Sequence, residues 1–289
     1  MRKWIKFSID YNSKGIKSKV KDQNYIEHSK AMGGYEISDN IDTKEVYLEK
    51  YFLNSFENRL SNYYDFISKR ISKEDEILSL ACGSCTTELQ LQNDGYNNIL
   101  CSDLDFPASY NKLKTLFPDF KFFIFNAMED TLTSKKDTII VLNLIYLFNQ
   151  DELLHFFKNI KKSLKNGGQL VIDSAGSPDN WLSYFIHDIL LPFEMIFLKR
   201  IIYFFKTGKW TGVYKQDFAY RRNDDKIIEA AKAAGFELID KENYAFYVDF
   251  NRTMLIGGVI SRVKFLKNLL KPLAKKIPYS RMFLFKNNE

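Results

Sequence analysis

The chain has 289 residues, 45% of them hydrophobic, which is enough to bury a sizeable core and excludes global disorder. Its 42 Lys and Arg against 36 Asp and Glu give a net charge of +6, too mild to mark a nucleic-acid binder by itself. The 3 cysteines are too few, and odd in number, for a disulfide framework, so a reducing, cytoplasmic compartment is expected.

The start "MRKWIKFSIDYNSKG" is basic but carries only a broken apolar run, a poor signal peptide. Residues 1–40 are polar and lysine-rich, with "MGGYE" (32–36) as a turn. From 42 to 70 aromatics and leucines recur at helical spacing (Val46, Tyr47, Tyr51, Phe52, Phe56, Leu60, Tyr63, Tyr64, Ile67), predicting one or two amphipathic helices. A regular alternation follows. Strands are expected at 76–82, 98–105, 121–127, 137–148 and 169–176. A helix through Gln92 follows the first, and another is expected over 151–168, closed by glycines. After Gly176 the pattern lapses for about 40 residues, then resumes with a helix at 224–236, a strand at 236–242 and a last strand at 281–287. Strands alternating with helices in this way call for a parallel, doubly wound α/β sheet.

In such a sheet ligands bind at the carboxyl ends of the strands, where the strand order reverses. The loop after the first strand, in "LSLACGSCTTEL" (78–89), has small residues at Ala81, Gly83 and Ser84, which let a ligand approach the backbone and the helix N–H groups. About twenty residues on, Asp103 ends the second strand, where a carboxylate can accept hydrogen bonds from both ribose hydroxyls of a nucleoside. The third strand ends in "FNAMED", where Asn126 and the Ala127 N–H are placed to read an adenine edge.

At these residues the sequence resembles the class I S-adenosylmethionine (SAM)-dependent methyltransferases. The Gly-x-Gly-x-Gly positions of that family fall at Ala81, Gly83 and Cys85, and Ser79 stands where an acid is usual. Asp103 matches the ribose-binding acid, and Phe125-Asn126-Ala127 the adenine motif, with Met128 beside the base. The run 137–148 resembles the fourth-strand motif, "LKNGGQLVI" the lead into strand five, and "AAGFEL" the turn into strand six. The resemblance covers 75–176, 218–242 and the last strand. It implies a Rossmann-like, seven-stranded, mostly parallel sheet. It also implies SAM as cofactor, held by Ala81, Cys82, Gly83, Ser84, Asp103, Leu104, Asn126, Ala127, Met128 and Asn143. The expected organisation is an N-terminal helical extension over 1–70 and a methyltransferase domain over 71–289, with insertions at 177–217 and 243–280. An NAD site is disfavoured, because "ACGSCT" lacks the Gly-x-Gly-x-x-Gly that seats a pyrophosphate.

Cys82 and Cys85 also form a Cys-x-x-Cys pair. A zinc site needs four ligands, and only Cys101 and three scattered histidines remain, so the cysteines are read as small packing residues and no metal is expected. Candidate catalytic groups are His187 in the first insertion, Asp173 at the end of strand five, and Tyr146 in "NLIY". That tetrapeptide keeps the ends of the Asn-Pro-Pro-Tyr motif of nucleic-acid amino-methylating enzymes but not its prolines, so base methylation gains little support. His155, within a helical stretch, is read as structural.

Both insertions mix apolar and basic residues, and 251–288 holds nine Lys or Arg and no acid. Such segments suit a membrane surface or an anionic, lipid-linked substrate, the bland alternative being a hydrophobic lid with a solvated basic face. The most apolar stretch, 181–205, is interrupted by His187, Asp188, Pro192, Glu194, Lys199 and Arg200, so no transmembrane span is expected. The expected function is methyl transfer from SAM to a small-molecule or lipid- or glycan-linked acceptor. The rival is a non-catalytic SAM-fold module for binding or membrane association.

Overall fold

The computed structural model of the protein describes residues 2–10, 37–38, 40–53, 59–174, 176–210, 212–244, 263, 265–266, 268–269 and 280–288. Chain contacts divide it into two units: 24–173, 227–242 and 282–289 form the larger, and 1–23, 174–226 and 243–281 the smaller.

The larger unit begins with α1 (Lys44–Leu48), capped by the Thr43 side chain accepting from the Val46 N–H, and continues as a π-helical turn, Glu49–Leu53. Helix α2 (Arg59–Ser68) follows, burying Tyr63, Phe66 and Ile67. Then come β2 (Ile77–Leu80), α3 (Thr86–Asn93), β3 (Ile99–Asp103), α4 (Tyr110–Leu116), β4 (Phe122–Ile124), β5 (Lys136–Val141), α5 (Gln150–Lys161) and β6 (Leu164–Ser174). The chain then adds α9 (Asp224–Ala233), β8 (Phe236–Tyr244) and β9 (Ser280–Asn287), which lie mostly in the larger unit. The smaller unit holds β1 (Arg2–Asp10), α6 (Trp181–Tyr184), α7 (Leu191–Phe193), α8 (Lys199–Thr207) and β7 (Gly212–Arg221).

The sheet has seven strands in the order β4-β3-β2-β5-β6-β9-β8. The pairs β4–β3, β3–β2, β2–β5 and β5–β6 are parallel, with Ile77 opposite Ile99 on one side and Thr138 on the other. The chain runs outward from β2 to β4 and then returns to β5 on the other side of β2. The β2/β5 border is therefore the switch point, and a ligand crevice opens at the strand ends there. Every residue of β2 is buried, which a strand covered on both faces requires. Helix α5 shows how the core forms. Asn149 accepts from the Asp151 and Glu152 N–H groups while Glu152 reaches back to the Asn149 N–H, a complete capping box. Leu153, Phe156, Phe157 and Ile160 then fall on one face and pack with Ile139, Val141, Leu170, Ile172, Phe283 and Phe285. Full burial of each such side chain contributes roughly 1.5–3 kcal/mol.

Several expectations need correction. The fourth strand does not run to Phe148. It ends at Val141, because Asn143 adopts a left-handed φ of 57° that no strand continues through, and Ile145–Leu147 forms a 3-10 turn. Its apolar residues Leu144, Ile145 and Phe148 still join the core, which is why the run looks like one strand. The glycines at 167–168 do not end the preceding helix, which stops at Lys161; they lie inside β6. A Cβ on Gly168 would lie 2.9 Å from the carbonyl oxygens of both Asp137 and Lys165, so close backbone approach is what needs glycine there. The N-terminal extension is not wholly helical. Arg2–Asp10 is a strand paired antiparallel with β7, from Arg2 opposite Arg221 to Asp10 opposite Gly212. The turn expected at 32–36 lies outside the described residues, as does most of the insertion 243–280.

The first insertion is helical in the smaller unit: α6, a π-helical turn Phe185–Leu190, α7, a second π turn Glu194–Leu198, and α8. Among the described residues, no helix is long and apolar enough to cross a membrane.

Candidate functional site

The loop leaving β2 has an alternating backbone. Ala81, Gly83 and Cys85 all take left-handed φ values, 53°, 53° and 54°. Only glycine does this without steric conflict; for an L-residue it costs roughly 1–2 kcal/mol. Two such costs are sustained here by bracing from several sides. The Gly83 N–H donates to Asp103 Oδ2 at 2.9 Å and the Cys82 N–H to the Ser102 carbonyl at 3.1 Å. The Cys85 N–H closes a turn onto the Cys82 carbonyl at 2.8 Å, and from α1 the Tyr47 hydroxyl donates to the Ser84 carbonyl at 3.2 Å. A Cβ on Gly83 would meet nothing within 4 Å, so its left-handed φ, rather than crowding, is what favours glycine there.

Asp103 ends β3 half-buried. One carboxylate oxygen holds Gly83 and the other accepts from the Leu104 N–H at 2.7 Å. Beside it a crevice open to solvent is lined by Ala81, Asp103, Leu104, Phe125, Asn126, Ala127, Met128, Leu144 and Phe148. Six of the ten cofactor residues expected from the sequence line it together. Cys82, Gly83 and Ser84 belong to the adjoining loop, and Asn143 does not line it. Its inner end is fixed by a turn: Asn126 Oδ1 accepts from the Met128 N–H at 3.1 Å and Asp130 from the Asn126 N–H at 2.7 Å. The Met128 carbonyl is 3.0 Å from His155 Nε2, which gives that histidine a structural role. Among the described residues no acceptor faces the Ala127 N–H, although Ala127 is 9% exposed. Phe125, read from the sequence as part of the adenine motif, lines the wall as well; Leu144 and Phe148 were missed, because a strand at 137–148 gave no reason to bring them there.

Beneath the loop the three thiols converge. The Sγ atoms of Cys82, Cys85 and Cys101 all lie within 4.8 Å of one another, and Cys82 and Cys85 are 2.9 Å apart as free thiols. Burial raises Cys82 and Cys85 well above the usual thiol range. Burial acts the same way on Cys101, but hydrogen bonds from the other two outweigh it and bring that group down to about 7. The cluster offers three of the four ligands a structural zinc takes. Glu88, on α3, is also buried and accepts from the Ser79 hydroxyl at 2.6 Å. Ser79 occupies the position where an acid is usual, and the carboxyl arrives instead from the helix. Burial, reinforced by Cys82, pushes Glu88 up to about 8.

At the ends of β5 and β6 a second polar group forms within the larger unit. The Asn143 N–H donates to Asp173 Oδ1, which helps hold Asn143 in its left-handed conformation. The Tyr63 hydroxyl lies 2.6 Å from Asp173 Oδ2 and 3.1 Å from Asn143 Oδ1, and accepts from Arg59 Nε at 2.8 Å. Burial pushes the Asp173 carboxyl above its ordinary range against the pull of Arg59 and Tyr63, and it also raises Tyr63. Tyr146 is half-buried and close enough to Arg59 to favour its charged form. Neither Arg59 nor Tyr63 carries a motif; Tyr63 had only its helical spacing as a signal, and Arg59 had none. Asp173 and Tyr146 thus share one neighbourhood, while His187 falls in the turn Phe185–Leu190 and its side chain is outside the described residues.

No family model and no curated protein matches the sequence. Solved structures do match. The PH0226 protein of Pyrococcus horikoshii superposes with a TM-score of 0.53 at 14% identity, over 81% of this chain and 92% of its own. A SAM-dependent methyltransferase from Clostridium acetobutylicum gives 0.51 at 15%, over 84% and 97%. The glycopeptide N-methyltransferase MtfA gives 0.50 at 10%, over 78% and 89%. With the strand order, the switch-point crevice and the loop after β2, these likenesses establish that the chain has the class I SAM-dependent methyltransferase fold.

Proposed function

We propose that the protein binds SAM in the crevice at the ends of β2, β3 and β4. There it directs methyl transfer to a small-molecule or lipid- or glycan-linked acceptor in the cytoplasm. The observation that carries this reading is the alternation of left-handed backbone at Ala81, Gly83 and Cys85, tied to Asp103 and bordering the cavity.

The residues present fit the cofactor. Asp103 would accept from the ribose hydroxyls, with Leu104 against the sugar. Ala127 would offer its N–H to the adenine edge, and Asn126 fixes the turn that presents it. Phe125, Met128, Leu144 and Phe148 give apolar walls for the base. Bound SAM supplies a methyl already activated by its sulfonium. What the chain adds is alignment, worth up to ~7–11 kcal/mol in well-oriented systems. Asp173 and Tyr146 are the candidates for handling an acceptor proton. Burial favours the neutral form of Asp173, and a carboxyl so raised is better suited to exchange a proton near neutral pH than an exposed one.

The test is transfer of labelled methyl from SAM by the full chain to a fractionated lysate. Label in a solvent-extractable or small-molecule fraction supports the reading. SAM binding without transfer to any fraction would leave the non-catalytic module.

A further inference from the structure

The helical segment of the smaller unit carries a surface that the proposed reaction does not use. Positions 181, 185, 189, 193, 197, 201 and 205 are Trp, Phe, Ile, Phe, Phe, Ile and Phe, every fourth residue, and all are exposed. Phe205 is 80% exposed and Trp181 68%. In an uninterrupted α-helix a step of four overshoots one turn by about 40°, so this series would wind around the axis. The two π turns, Phe185–Leu190 and Glu194–Leu198, widen the repeat and keep it closer to one stripe.

Charge on this segment is sorted by face. Between Trp181 and Trp210 there are two acids, Asp188 and Glu194. Asp188 is ion-paired with the buried Arg221, and Glu194 is fully buried. Lys206 and Lys209 are exposed, and Arg200 sits over the Trp210 ring at 5.5 Å. The exposed surface is thus apolar and cationic, with a tryptophan at each end. Val263, Phe265 and Leu269 of the same unit are also exposed, within the acid-free stretch 251–288. A patch of this size is rare on a protein surface that meets only water. An anionic bilayer surface matches both halves of the pattern, because its acyl boundary takes the apolar stripe and its headgroups the lysines. Tryptophan suits the boundary between them.

We propose that the stripe from Trp181 to Phe205 seats in the interfacial layer of an anionic membrane, with Lys206 and Lys209 at the headgroups. The segment lies on the bilayer and does not cross it. This docking stands independently of the methyltransferase reading.

The experiment is cosedimentation of the full chain with vesicles of phosphatidylcholine alone or with about one-third phosphatidylglycerol, at low and high salt. The wild type should bind the anionic vesicles, and at least tenfold more weakly the neutral ones or at high salt. Phe197→Ser with Phe205→Ser, and separately Lys206→Glu with Lys209→Glu, should each lose at least tenfold in binding. All four positions are exposed, so the thermal melt and SAM calorimetry of each variant should match the wild type. Failure of SAM binding in the wild type would count against the cofactor reading and leave docking untouched. No binding of the wild type to anionic vesicles would overturn the proposal, as would equal binding by the serine variant. So would light scattering showing a dimer that the serine variant dissolves without any vesicle binding, since a second copy of the chain would then cover the stripe.

Discussion

The Gly83 N–H donates to Asp103 Oδ2 at 2.9 Å, joining the loop after β2 to the end of β3. One carboxylate thus holds the loop in shape and borders the cavity beside it. Backbone strain, loop bracing and the proposed ribose contact meet at this residue, and each has a separable consequence.

Replacing Ala81 by glycine should stabilise the protein. The left-handed φ of 53° costs alanine roughly 1–2 kcal/mol, and glycine's extra freedom in the unfolded chain returns about 0.5–1 kcal/mol of that. A net gain of about 0.5–1 kcal/mol is expected in urea unfolding. Cys85→Gly relieves the same strain but empties a fully buried site, so it should gain less than Ala81→Gly or lose stability.

Glu88 should make stability fall as pH rises. Its folded value, about 8, lies above the 4.5 of the free group, so between those values the folded state keeps a proton that the unfolded state has lost. Its contribution is complete below about 4.5, is lost progressively up to about 8, and then stays lost. The drop should be on the order of a few kcal/mol. Glu88→Gln keeps an acceptor for Ser79 and removes the titration. Unfolding curves of the two proteins between pH 5 and 8 should therefore differ in slope, with the variant the flatter.

Tyr63→Phe should cost about 1–3 kcal/mol, because it removes the hydroxyl between the half-buried Arg59 and the buried Asp173 and leaves each a partner short. Urea denaturation measures this directly. A loss below about 0.5 kcal/mol would mean that water or Asn143 takes over the bond.

How far the sequence revealed this molecule depended on the range of the signal. Residue types and spacing were enough to find the parallel sheet, and the family resemblance singled out Ala81, Asp103, Leu104, Asn126, Ala127 and Met128, which line one cavity, because both depend on local runs and strand ends. Asn143 shows where that stops. Its left-handed turn is held by Asp173, thirty residues away, and nothing local separates it from one more residue of an apolar strand. Glu88 likewise looked like an ordinary helix residue until Ser79 was found opposite it. The strand pair β1–β7 joins segments about two hundred residues apart, so a polar, lysine-rich N-terminus carried no hint of its partner.

The central claim is that the crevice beside Asp103 binds SAM. Isothermal calorimetry of the full chain with SAM, for the wild type and Asp103→Ala, tests it most directly. Loss of two charge-assisted hydrogen bonds, each about 1.5–3 kcal/mol, should weaken binding at least a hundredfold. A wild type that takes up no SAM, or an Asp103→Ala variant that binds as tightly as the wild type, would contradict the account.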